Sequence, residues 1–73
     1  RNATESLRTA LSEAEAAVQQ VKGGKESVEL SPQSSYIRRL QHLIAEKSAL
    51  ASQSFGKEPH RRVKIFKAEP LAR

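Results

Sequence analysis

Ser31-Pro32-Gln33-Ser34-Ser35-Tyr36-Ile37-Arg38-Arg39-Leu40-Gln41-His42-Leu43-Ile44-Ala45-Glu46 is the stretch from which the fold is read. Ile37, Leu40 and Ile44, assisted by Leu43, return at the spacing of one helix face, which predicts a helix with these residues buried. Two starts are open to it: Ser31 followed by Pro32 at the first helical position, where a missing N–H costs nothing, or Ser34 as an N-cap. Residues four apart on a helix lie one above the other, so Arg38 and His42 project together.

Towards the N-terminus, Leu7, Leu11, Ala14, Val18 and Val21 form one stripe of a second helix over residues 3–21. Asn2 or Thr4 is placed to cap it, with Glu5 in capping-box spacing from Asn2, and Gly23-Gly24 ends it. Residues 25–30 alternate, with Val28 and Leu30 on one side and Glu29 on the other, as in a short strand. Towards the C-terminus, residues 49–55 read as a strand with Leu50 its core anchor and Ser52 and Ser54 on the same side. Residues 56–59 read as a turn. Residues 61–67 alternate as a third strand, Val63 and Ile65 facing in, Arg62, Lys64 and Phe66 facing out.

The predicted fold class is therefore α+β: a three-stranded sheet with two helices packed on one face, in the order helix, strand, helix, strand, strand. Three short strands alone would leave their apolar side wet, and covering one face leaves the other open. Residues 1–24 form an amphipathic helix belonging to the domain, 25–67 its core and 68–73 a tail.

A chain of 73 residues buries only roughly 60% of its unfolded surface, so the core is thin. It contains no cysteine and two histidines far apart in sequence, which excludes a disulfide scaffold and a structural zinc site. No metal and no cofactor are expected. No apolar run approaches the ~18 residues of a membrane span, so no membrane partner is expected and the setting is read as intracellular, be it cytoplasm, nucleus or plastid. The chain starts at Arg1 and has no methionine, the expectation being a monomeric piece of a larger parent protein.

The net charge of +5 is unevenly spread. Residues 1–24 carry three basic and three acidic side chains, whereas residues 25–73 carry ten basic and five acidic. Basic charge gathered in one part of a small domain is the footprint of a nucleic-acid binder.

Val28 to Pro32, then Tyr36-Ile37-Arg38-Arg39-Leu40-Gln41-His42, Ser52-Gln53-Ser54-Phe55-Gly56-Lys57-Glu58-Pro59 and Arg61-Arg62-Val63-Lys64-Ile65-Phe66, follow one another in an order that resembles the R-3-H domain family. That family is named for an arginine and a histidine separated by three residues, matched here by Arg38 and His42. The resemblance implies a module that binds single-stranded DNA or RNA and has the sheet-and-two-helix fold. It also matches Arg61 and Arg62 to the basic start of the last strand. The wording is most similar to the C-terminal module of cyanobacterial and plastid P-loop ATPases.

The candidate nucleic-acid-binding residues are Arg38, His42, Lys57, Arg61, Arg62 and Lys64. Arg38 offers a planar fork to a backbone phosphate, and His42 a proton gained near neutral pH. The alternatives are that Arg38 pairs with an acid such as Glu46 and that His42 donates a hydrogen bond fixing the turn against the helix. Phe66, on the open face, either stacks a base or packs at the sheet edge. No catalytic residue is expected. Gly24-Lys25 and Gly56-Lys57 are not P-loops, since Gln19 and Ala51 stand where the first glycine is required and glutamate follows each lysine. A competing function is a protein-interaction or scaffolding module docking through the N-terminal helix, whose stripe is lean in large residues.

Overall fold

Two helices, α1 (Ala3–Lys22) and α2 (Ser35–Lys47), and three strands, β1 (Ser27–Glu29), β2 (Ala51–Phe55) and β3 (Arg62–Phe66), follow one another as α1-β1-α2-β2-β3. The computed structural model describes residues 3–68. The strands form one antiparallel sheet in the order β1-β3-β2. The central β3 sets Ile65 opposite both Val28 and Ser52, and Val63 opposite Ser54. Because successive side chains of a strand point to opposite faces, Val63 and Ile65 reach the helices and are completely buried. Arg62, Lys64 and Phe66 fall on the face that the helices leave open.

Helix α1 ends as its glycines require. Lys25 N–H donates to the Gln20 carbonyl and Gly24 N–H to the Val21 carbonyl, with Gly24 at φ +125. This is the paired closure that a left-handed residue after a helix permits. Thr4 lies inside the helix and so does not cap it, and Asn2 lies outside the described residues, as do residues 69–73 of the tail. The innermost residues of α1 are Ala10, Ala14, Ala17, Val18 and Val21, whereas Leu7 and Leu11 are half-buried. The alanines serve as approach positions: Gln41 of α2 donates from Nε2 to the Ala10 carbonyl at 3.1 Å, which needs small side chains between the helices. The Ala14, Val18 and Val21 part of the α1 stripe is thus spent within the domain.

The start of α2 is decided by β3. Leu30 N–H donates to the Val63 carbonyl and Gln33 N–H to the Arg61 carbonyl, so residues 30–33 run alongside β3 and Ser31-Pro32 cannot open the helix. Ser34 caps it, its hydroxyl accepting from Ile37 N–H at 3.5 Å. Ser31 is used otherwise, donating from both N–H and Oγ to the Glu13 carboxylate on α1.

The buried ridge of α2 also differs from the apolar reading. Arg38, Gln41 and Ala45 are buried, Ile37, Leu40 and Ile44 only half-buried, and Leu43 is 47% exposed. At 100° per residue, Ile37, Leu40 and Ile44 occupy one flank of that ridge and His42 the other. Two polar side chains hold the centre: Arg38, and Gln41, whose Nε2 reaches the Ala10 carbonyl while its Oε1 is buried without a hydrogen-bond partner among the described residues. Leu50, half-buried, packs on the core cluster just ahead of β2.

Candidate nucleic-acid interface

The loop between β2 and β3 is drawn against the start of α2. Gly56 adopts φ +92, a conformation in which a side chain is strained, and His60 N–H donates to the Lys57 carbonyl at 2.7 Å. Glu58 is thereby presented to α2. Arg38 donates from Nη1 to the Gln33 carbonyl at 2.6 Å, and its Nη2 stands 3.2 Å from Oε2 of Glu58. The arginine side chain is 8% exposed and the glutamate 63%. Glu58, not Glu46, is the acid partner, because the tight turn brings it there from twenty residues away.

Both ring nitrogens of His42 are engaged. Nδ1 is hydrogen-bonded to the Ser52 hydroxyl and Nε2 to the Ser54 hydroxyl at 2.8 Å. The imidazole therefore ties α2 to the inward side of β2 rather than to the turn. Burial, and then the nearby Arg38 charge, lower its pKa from the ordinary 6.5, which favours the neutral ring. A neutral ring suits two serines, one receiving the ring N–H and the other donating its O–H.

Arg61 and Arg62 diverge. Arg61 stays on the turn, donating from Nη1 to the Gly56 carbonyl at 2.8 Å. Arg62 opens β3 on the uncovered face, opposite Phe55 in the sheet register. Its Cζ lies 4.4 Å from the centre of the Phe55 ring, its Nε donates to Glu29 Oε1 at 3.3 Å and its Nη1 to the His60 carbonyl at 3.0 Å. Lys64, two residues on, brings its Nζ to 5.9 Å from the same ring centre. Lys57 is exposed and has no acid partner among the described residues.

The six sequence-predicted residues thus divide. Arg38, Lys57 and Arg61 gather at the corner between α2 and the turn, with His42 bracing the strand behind them, while Arg62 and Lys64 flank Phe55 on the open face. Glu58, Glu29 and Phe55 were not singled out from sequence. The signal for the histidine's partners was present: two serines facing inward on a thin strand need a hydrogen-bonding neighbour. Phe66 is half-buried on the open face, opposite Ser27 and Ala51. No cluster of potential metal ligands occurs among the described residues, and no described helix is long and apolar enough to cross a membrane.

The R-3-H domain family model matches residues 8–67. The chain is also 40% identical over 58 residues to the uncharacterized protein ycf45 of Porphyra purpurea. That match takes in 78% of this chain and 10% of the relative, so the chain spans about a tenth of that protein's length.

Proposed function

The chain belongs to the R-3-H domain family, whose members generally bind single-stranded nucleic acids, and from that premise we propose that it binds the backbone phosphates of single-stranded RNA or DNA at the corner of α2 and the β2–β3 turn. One observation carries this reading: the almost buried Arg38 presents one edge of its guanidinium to the largely exposed carboxylate of Glu58. A guanidinium fork recognises carboxylate and phosphate in the same geometry. Glu58 therefore stands where a phosphate would, and the incoming strand displaces it. Lys57 and Arg61, on either side of Glu58 in the chain, supply further cations to the same phosphates. His42 acts through position, holding β2 and the root of the turn against α2, since neither ring nitrogen is left for a ligand. In this reading the module binds and does no chemistry, any reaction belonging to the remainder of a larger parent protein, an ATPase or a helicase.

Binding of a labelled single-stranded oligonucleotide across salt concentrations tests the proposal. Three phosphate contacts at ~0.7 ion each give log K against log salt a slope near ~−2. Glu58→Gln raises affinity by removing the competing carboxylate, and the gain disappears in the Arg38→Gln background. Absence of binding at low salt, or a slope near zero, overturns the reading. A gain from Glu58→Gln that survives loss of Arg38 shows a general charge effect and removes Arg38 from the site.

A further inference from the structure

Arg62 is held unlike a phosphate-binding arginine. Two of its nitrogens are spent inside the domain, Nε on Glu29 and Nη1 on the His60 carbonyl, while the guanidinium lies 4.4 Å from the centre of the Phe55 ring. A planar cation fixed at two of its nitrogens and backed by an aromatic ring has two of its five N–H donors committed and its plane held in place. Its capacity as a flat surface remains. Its side chain keeps 30% of its surface exposed. Gly56 leaves room for it, since a Cβ there would come within 2.9 Å of Arg62 Nη1.

We propose that the Arg62 guanidinium, stacked on Phe55, is a platform on which an unpaired nucleobase of the bound strand stacks. Bases stack on guanidinium planes as on aromatic rings, and such stacking accepts any base because each has a π-face. The platform is contiguous with the phosphate corner: Phe55 precedes Gly56 of the turn and Arg62 follows Arg61. A strand whose phosphates lie at the corner turns a base onto the open face without a long crossing. Lys64, beside the same ring, adds charge next to the stacked base. The inference rests on the phosphate reading and adds to it a base-dependent contribution.

The test compares an oligoadenylate with an abasic oligomer of equal length and charge, using the whole chain at low salt. One stacked base gives the oligoadenylate an advantage of about tenfold. Arg62→Lys keeps the charge and loses the plane, so the advantage disappears while binding to the abasic oligomer is unchanged. Phe55→Leu, which removes the backing ring, gives the same result, and unfolding in that variant leaves the Arg62→Lys comparison decisive. Equal binding of both oligomers by the parent chain overturns the stacking platform and leaves the phosphate site standing. A loss in Arg62→Lys of equal size on both oligomers also overturns it, by showing Arg62 to be a phosphate contact. Binding of neither oligomer overturns the phosphate reading itself.

Discussion

The α2 corner and the open face of the sheet each hold an arginine paired with a glutamate, yet the two pairs are built differently. Arg38 is 8% exposed and ties the start of α2 to the β2–β3 turn through the Gln33 carbonyl and Glu58. Arg62 is 30% exposed and links Glu29 of β1 to the end of the same turn, lying over Phe55. An ion pair near water contributes little because solvent screens it, whereas a nearly buried guanidinium left without its partners carries a large desolvation cost. Burial thus commits Arg38 to folding as well as to any ligand. Exposure leaves the contacts of Arg62 partly screened by solvent. Charge in the sequence says nothing of this division; depth does.

The largest expected effect breaks the corner. Arg38→Ala strands the Gln33 carbonyl and unpairs Glu58, with a cost of about 2 kcal/mol in chemical denaturation. That corresponds to a melting temperature lower by roughly 10 °C. A loss as small as that of an exposed surface residue would erase the distinction between the two regions.

Next in size is the pH response of the corner. Burial and Arg38 lower the folded-state pKa of His42, while the unfolded chain takes up its proton near ~6.5. The unfolded state therefore binds more protons as the solution acidifies. The stability due to the neutral ring is complete above ~6.5 and is lost as pH falls through the lowered folded value. Denaturation midpoints of the parent should decline over that window, and those of His42→Gln should decline less. An unchanged slope in His42→Gln would remove the histidine from the account of acid stability.

The smallest effect sharpens the other side. Arg62→Ala should alter stability by no more than ~0.5 kcal/mol, because its ion pair and its ring contact are both bathed by solvent. Arg38→Ala and Arg62→Ala in the same denaturation series would then differ about fourfold in cost.

Much of this fold was legible in the chain. The Gly23-Gly24 stop, the alternation of Val63 and Ile65 and the order of elements all follow from local chemistry, whereas the choice of Ser34 over Ser31 to open α2 was made by the pairing of residues 30–33 with β3. Less legible was which side of each helix is innermost. Leu7, Leu11, Ile37 and Ile44 are the large apolar residues that periodicity selects, yet the alanines of α1 and the polar Arg38 and Gln41 lie deepest. Hydrophobic pattern measures the transfer preference of single side chains. Depth is set by how closely two helices approach and by which polar groups find partners on arrival.

The same boundary runs through the candidate site. By itself the sequence determined that Arg38 and His42 share one helix side, that Arg62 and Lys64 share one strand face, and that glycine and proline bend the chain between β2 and β3. Those are properties of neighbours along the chain, governed by helical and strand periods. Only the tertiary structure decided that Glu58 meets Arg38, that Ser52 and Ser54 take both nitrogens of His42, and that Arg62 lies on Phe55 with Glu29 at its edge. Each of these joins residues from different elements. Their meeting depends on the register of β3 between its two neighbours and on the turn folding back on α2, distances that no local preference specifies.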